Sequence, residues 1–544
     1  MNRKDILKSL ASGDVVDLVV VGGGATGLGV ALDAARRGYS VVLLESHDFA
    51  GGTSSRSTKL LHGGVRYLAQ GNVALVREAL HERRAILNMA PHLAAPLSFV
   101  MPSYAWWQVP FYGIGLKLYD MLAGKAGLGR TQWLTRAQTA THLPSLSARG
   151  LHGGVMYWDA QFDDARLALA VARSAEQSGA RLVNYTRVER LVPLTGQVDG
   201  AAWSVAWRDT RAHALSDAAE CNDHGELRAR CVVNAAGVWV DDLIAHSTSK
   251  PSNRRMVTPS QGVHLVVDKR FLPGNSALVV PKTKDGRLLF AVPWMGSVIL
   301  GTTDTQRTDA PREPQASEEE IEFILGEASR VLTPAPTRAD VRSIWVGLRP
   351  LVTPDKSKAT RAISREHTIE ISENHLVTVT GGKWTTFRSM AEDVMTQIQR
   401  KRLLPPRASA CEADHTLVGG AVAGGIDLTA MPSLHLYGDR ISEVLACDGS
   451  DQPLGMGLTA AMVRYAVRSE YAQTVEDVLA RRWRVLFLDA KMALDMAPSV
   501  AAIVAEETGQ DPDLAAAYAK AHEAYLVDRD ALGLNVEEVE GISA

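Results

Sequence analysis

Between Asp17 and Glu45 a strand, a glycine-rich turn, a helix, a second strand and an acid follow one another, and this order constrains the fold more than any other stretch. Asp17 to Val21 is an apolar, β-branched run of the kind that forms a strand covered on both faces. The turn Gly22-Gly23-Gly24-Ala25-Thr26-Gly27 comes next, then a helical pattern from Leu28 to Arg37 stopped by Gly38, then a strand from Ser40 to Leu44. Gly22 permits the tight turn, Gly24 lets main-chain N–H groups approach a pyrophosphate, and Gly27 lets helix and strand pack closely. The helix N-terminus adds partial positive charge. Glu45 is positioned to accept hydrogen bonds from both ribose hydroxyls, which disfavours a 2′-phosphate. These features predict a Rossmann-like dinucleotide site in a chain that is α/β there and α+β overall.

The next stretch of chain narrows the cofactor. Thr53-Ser54-Ser55-Arg56-Ser57-Thr58-Lys59 is a hydroxyl- and cation-rich loop, continued by Leu61-His62-Gly63-Gly64-Val65-Arg66-Tyr67. Gly22 to Gly27, Glu45, the TSSRSTKLLHGG run and Arg66-Tyr67 together resemble the FAD-dependent, respiratory glycerol-3-phosphate dehydrogenases of the glycine and D-amino-acid oxidase superfamily. The resemblance implies non-covalent FAD, contacted by Thr53, Ser54, Ser55 and Lys59, with His62 packed against it from the flavin-side loop. It also implies a peripheral membrane enzyme that passes electrons to a quinone, on the inner face of the cell membrane.

A chain of 544 residues is too long for one ordinary core. Its net charge of −3 leaves no nucleic-acid footprint. Cys221, Cys231, Cys411 and Cys447 form no CxxC pair, which argues against zinc or iron–sulfur ligation, predicts no metal, and suggests a reducing cytoplasm. Met1 to Gly13 is basic and amphipathic without a secretory apolar core. Leu93 to Leu116 is long enough to span a bilayer, but Pro96, Pro102 and Pro110 would break such a helix. Its aromatics, Tyr104, Trp106, Trp107, Phe111 and Tyr112, read either as buried packing, which the sequence favours, or as a patch lying in a membrane interface. The oligomeric state stays open, a homodimer included.

Along the chain the reading is a discontinuous FAD-binding domain (14–90, 151–250 and 341–405) around a cap region (91–150) and a mixed-sheet substrate domain (251–340). A linker (406–433) leads to a C-terminal helical domain (434–544). Residues 93–150 read as irregular. Asp163, Asp164 and Arg166 read as a helix cap with a local ion pair, and Ser216 to Glu226 as a hairpin tip. Cys231 to Trp239 reads as a strand whose end, at Ala235, Ala236 and Gly237, keeps the backbone within reach of the cofactor.

One dinucleotide fold, with no second, points to an organic substrate as the electron source. A phosphorylated alcohol needs cations, because a phosphate dianion leaving water must be paired. Arg66, Arg349 in VGLRPL and Lys383 in GGKWTTFR sit among small residues at strand ends or turns and match the family's phosphate ligands. Tyr67 could add a hydroxyl. Gly381-Gly382 opens a predicted helix from Thr385 to Ile398, so free N–H groups near Thr385 would face the flavin. A hydroxyl proton must also leave, and His264 in SQGVH suits that near neutral pH and matches the family's catalytic histidine. Arg349 would share the work by lowering the alcohol's pKa. The expected reaction is oxidation of sn-glycerol 3-phosphate to dihydroxyacetone phosphate, with hydride passing to FAD N5. The alternatives are a glycerol-3-phosphate oxidase that uses O₂ and makes H₂O₂, and, from another class, an FAD-dependent amino-acid oxidase.

Overall fold

In a computed structural model of the protein, the residues described are 3–11, 13–64, 68, 72–198, 200–211, 224–247, 255–281, 283–284, 286, 288–353, 367–408, 415–422, 424–510, 518 and 525. Two large sheets dominate. In the first, the strands run in the order His367–Ile371, Val377–Gly381, His224–Asn234, Val15–Val21, Val41–Leu44, Arg181–Val183. The five strands from Val377–Gly381 to Arg181–Val183 are mutually parallel, with Val21 level with Leu44 on one side and Asn234 on the other. Val15–Val21 is buried almost throughout, as its apolar run requires of a central parallel strand. The hairpin of Thr186–Val198 and Ala201–Asp209 adds antiparallel strands along His224–Asn234. The expected tip at Ser216 to Glu226 lies largely outside the described residues.

The helix Ala25–Arg36 is buried on nearly every side. Its small residues allow close approach of the helices Asp164–Gln177 and Phe387–Arg400. Gly29 sits there with a would-be Cβ 3.0 Å from the Phe387 ring.

The second sheet has ten strands, centred on Val257–Asp268, Ser297–Gly301, Leu289–Trp294, Ala277–Val280, Ala94–Ser103 and Gly153–Phe162. Here the structure corrects the sequence reading. Gly153–Phe162, assigned to the second cofactor-binding stretch, pairs with Ala94–Ser103. Val341–Val352, assigned to the third, pairs along its length with Val257–Asp268, so the chain returns to the first sheet only at His367. Residues 93–150 are not irregular: they hold the strand Ala94–Ser103 and the helix Gln108–Ala123. Pro96 and Pro102 are tolerated because a strand interrupted at two donors still pairs through its other residues.

The aromatics of that region divide: Tyr104 and Tyr112 are half-buried against the core, whereas the others are not packed away. Trp106, Trp107, Phe111, Ile114, Leu118 and Met121 are exposed, Trp106 and Met121 each by 76%. From Trp107 onward they recur at helical spacing along one face, while Gly113, Leu116, Tyr119 and Ala123 cover the core. No helix among the described residues is long and apolar enough to cross a membrane.

C-terminal helices Ala460–Ser469 and Ala490–Thr508 pack together, and the second of them also touches Val341–Val352 of the second sheet. The stretch read as a linker is also packed: Leu417 and Leu428 are buried, and their main chains bond to Met89 and Met295. The Asp163 cap is confirmed, its carboxylate accepting from the Ala165 and Arg166 N–H groups. Arg166, however, forms no local pair but reaches Glu470 at 2.7 Å in the C-terminal region.

Candidate active site

A cavity of about 680 Å³ runs from the first glycine turn to the second sheet, within the roughly 300–1,000 Å³ usual for cofactor and small-molecule sites. At one end the turn is built by close contact. A Cβ on Gly27 would lie 1.9 Å from the Gly22 carbonyl oxygen, and Gly22 itself takes φ +111°. Gly24 lies at the start of the helix Ala25–Arg36 with only the Ser54 hydroxyl near it, so a ligand can approach the N-terminal N–H groups. Glu45 lines the cavity and braces the turn as well. Its carboxylate accepts from the Gly23 N–H at 2.6 Å and the His47 N–H at 2.9 Å, with lone pairs left for further donors. A glycine turn on a helix N-terminus with a carboxylate beside it suits the pyrophosphate and ribose of FAD.

The loop 53–59 forms one wall, anchored residue by residue. The Thr53 hydroxyl donates to the Leu348 carbonyl at 2.6 Å, and the Ser54 hydroxyl accepts from the Ala25 N–H at 2.9 Å. Ser57 donates to Asp164 at 2.7 Å, and the Thr58 hydroxyl meets His264 Nε2 at 2.9 Å. Thr53, Ser54, Arg56, Ser57 and Thr58 face the cavity. Ser55 and Lys59, expected to contact the cofactor, do not line it. The Lys59 ammonium is fully buried against Asp164 and the Ser55 carbonyl, both at 2.6 Å, because a cation shut away from water needs a carboxylate.

At the far end His264 and Arg349 stand on one face of the paired strands Val257–Asp268 and Val341–Val352. Ser260 lies opposite Arg349, Gly262 opposite Gly347, and His264 opposite Trp345. The facing glycines leave a gap in the side-chain layer, and the Arg349 guanidinium fills its edge: a Cβ on Gly262 would sit 2.3 Å from it. Arg349 lies inside its strand rather than at its end. It donates to the Thr302 hydroxyl at 3.0 Å and the Thr303 carbonyl at 3.1 Å, with Asp304 at 3.6 Å. His264 stacks on Trp345 with centroids 5.2 Å apart. Burial, then the charges of Arg349 and Lys59, hold its pKa well below the usual 6.5, so the ring is neutral at neutral pH.

His62, Gly237, Gly381, Gly382, Lys383 and Thr385 also line the cavity. The expected helix start at Thr385 is displaced: a short 3-10 turn, Trp384–Thr386, precedes the helix Phe387–Arg400. Arg66 and Tyr67 lie outside the described residues. The sequence reading missed several lining residues, among them His47, Trp239, Arg312 and Thr58. Thr58 belongs to the hydroxyl-rich run and could have been found there. Arg312, over the Trp239 ring at 5.3 Å, comes from a loop with no local signature. Among the described residues no cluster of His, Cys, Asp and Glu is arranged to hold a metal.

The fold and the cavity define a flavin-dependent oxidoreductase, and residues 17–392 match the family described as FAD dependent oxidoreductase. Residues 375–514 match the C-terminal domain of alpha-glycerophosphate oxidase. The chain is 38% identical to the mitochondrial glycerol-3-phosphate dehydrogenase of Bos taurus over 546 residues, covering 94% of this chain and 73% of that protein. It is 36% identical to the mitochondrial glycerol-3-phosphate dehydrogenase of Arabidopsis thaliana over 549 residues, covering 93% and 85%. In three dimensions it resembles the glycerol-3-phosphate dehydrogenase from Bacillus halodurans, solved with FAD, at a TM-score of 0.75 and 28% identity, covering 97% of this chain and 98% of that one. The chain belongs to the FAD-dependent glycerol-3-phosphate dehydrogenase family.

Proposed function

We propose that this chain oxidises sn-glycerol 3-phosphate to dihydroxyacetone phosphate and reduces a quinone. The observation that carries the reading is a neutral imidazole beside a guanidinium on one face of a strand pair, at the end of a cavity that begins in a dinucleotide turn. Arg349 and Lys383, together with Arg66, pair the phosphate, and Tyr67 adds a hydroxyl donor. His264 takes the C2 hydroxyl proton, which a neutral ring can accept and an imidazolium cannot. Arg349 lowers the pKa of the alcohol by its charge. Gly22, Gly24 and Glu45 would hold the dinucleotide part of FAD, and Thr53, Ser54, His62, Gly237, Gly381, Gly382 and Thr385 the ring system. Bound FAD supplies the hydride acceptor at N5 and the route to the quinone.

The exposed stripe from Trp106 to Met121 supports peripheral attachment to the inner face of the cell membrane, where a quinone is dissolved. Flotation with anionic vesicles tests this. Attachment lost on Trp106→Ser with Phe111→Ser is the expected result, and a stable homodimer that covers the stripe without lipid is the competing one.

The reaction is tested by mixing the yellow protein anaerobically with glycerol 3-phosphate and watching the flavin bleach. Arg349→Ala should raise KM and lower kcat together, since the phosphate both binds and orients the reacting carbon. Bleaching by a glycine-type substrate but not by glycerol 3-phosphate would overturn the reading. Peroxide in place of reduced quinone would make the enzyme an oxidase.

A further inference from the structure

The cofactor-facing segment 45–59 has a back as well as a front. Its front lines the cavity. Asp48, Ser55 and Lys59 turn the other way, and all three are buried. What meets them is one turn of the C-terminal region, the π-helical stretch Asp477–Arg482 and the residues after it. Arg481 and Arg482 both donate to the Asp48 carboxylate, Arg482 through a second contact at 3.0 Å. Arg484 donates to the Ser55 carbonyl at 2.9 Å, the same oxygen that accepts from the Lys59 ammonium. Its guanidinium also lies 3.2 Å from Asp164 and 3.8 Å from Asp163, and covers the Phe487 ring at 4.4 Å.

The charges close among themselves. Lys59 and Arg484 face Asp163 and Asp164, and none of the four is exposed to water. Lys59 and Arg484 both take left-handed backbone conformations, at φ +63° and +65°. A non-glycine residue holds such a conformation only where its surroundings over-determine it. The π-helical turn is itself a rare form, found frequently at functional sites. The result reaches the front through a short path. With Ser55 held by Arg484, and Ser57 and Lys59 held by Asp164, Thr58 has little freedom, and its hydroxyl is the group bonded to His264.

We propose that Arg484, with Arg481 and Arg482 beside it, is a positioning residue: the C-terminal region sets the cofactor wall from behind and, through Thr58, fixes the orientation of His264. This gives the C-terminal region a task in catalysis without any atom in the cavity. The part concerning His264 rests on the function proposed above, whereas the part concerning the wall rests on FAD binding alone. A flavin titration without substrate therefore separates failure of one from failure of the other.

The test uses the full chain with Arg484→Gln and Arg484→Lys. The lysine variant keeps a cation between the two aspartates and so preserves the charge balance, but cannot span from Ser55 to Asp163. Flavin affinity is read by fluorescence titration, then kcat and KM are measured at saturating FAD, with the fold checked by circular dichroism. We expect Arg484→Gln to weaken FAD at least tenfold and to lower kcat of the FAD-saturated enzyme at least tenfold, with KM for glycerol 3-phosphate changed less than threefold. Arg484→Lys should recover part of both losses. A purely structural role would lower thermal stability and leave flavin affinity and the kcat of saturated enzyme both within twofold of the parent; that result overturns the proposal, while weakened FAD with kcat unchanged overturns the part concerning His264. If Arg484→Gln does not fold, Arg484→Lys decides. Flavin affinity and kcat both within twofold of the parent refute it, and a loss in both upholds it.

Discussion

Gly262 offers a way to move Arg349 without altering it. Gly262 lies in the strand Val257–Asp268 opposite Gly347, and its backbone accepts any residue. An alanine methyl there would stand 2.3 Å from an Arg349 guanidinium nitrogen and 2.6 Å from the Thr302 hydroxyl, where ordinary contact begins near 3.4 Å. Both are side-chain ends, so the fold survives, at an overpacking cost of about 1–3 kcal/mol. The guanidinium must retreat by about 1 Å, enough to strain its bonds to Thr302 at 3.0 Å and Thr303 at 3.1 Å. A displacement of that size at a positioning group costs on the order of 10²-fold, or about 2.7 kcal/mol of barrier. The assay is steady-state kinetics with glycerol 3-phosphate and a quinone analogue, alongside flavin content. We expect kcat/KM to fall about 10²-fold with FAD content unchanged. A kcat/KM within about threefold of the parent, in folded flavinated protein, would refute the placement of Arg349 at the reacting centre.

His264→Ala should lose about 10²–10⁴ in rate in stopped-flow flavin reduction, the usual share of a general base. Because burial and the nearby cations hold the His264 pKa well below 6.5, the parent should show no acid limb near that pH, and Arg349→Gln should move the limb upward. His47 and His92 are pushed down to about 3 by burial, so below 6.5 only the unfolded chain takes up their protons. Each then removes up to about 1.4 kcal/mol of stability per pH unit as pH falls from 6.5 toward 3, and His92→Gln should flatten the slope of Tm against pH. Arg166→Ala leaves the buried Glu470 carboxylate with only the more distant Arg173, at 3.9 Å, and should cost up to about 3–5 kcal/mol in urea unfolding; Arg166→Ala with Glu470→Gln should recover part of it.

The local part of this architecture was legible in the sequence because it is written in short range. The turn Gly22–Gly27, the strand before it and Glu45 lie within thirty residues, and their spacing alone predicts their geometry. Residue type and family pattern single out His264 and Arg349, and both line the cavity, although nothing local says that Gly262 and Gly347 face each other between them. What escaped was set by partners remote in the chain. Lys59 sits in a hydroxyl-rich run that reads as a ligand loop, but Asp164, over a hundred positions on, turns it inward. Val341–Val352 reads as part of the cofactor-binding domain, and only its partner strand, Val257–Asp268, shows that it belongs to the second sheet. The aromatics around Trp107 carry a period that fits core or surface alike, so exposure could not be read from spacing.

The parallel sheet has a temporal consequence. Its central strand, Val15–Val21, is made well before Val377–Gly381, the parallel strand that completes the far side of the layer. At about 5–20 residues per second, that interval is on the order of half a minute. Val15–Val21 has both neighbours once Asn234 is made, but the far edge of His224–Asn234 then waits for its parallel partner, and the cavity still lacks its wall from Gly381 to Thr385. Newly made chains should therefore depend on chaperones that shield strand edges, and fragments that stop short of residue 381 should precipitate, not emerge as colourless soluble protein.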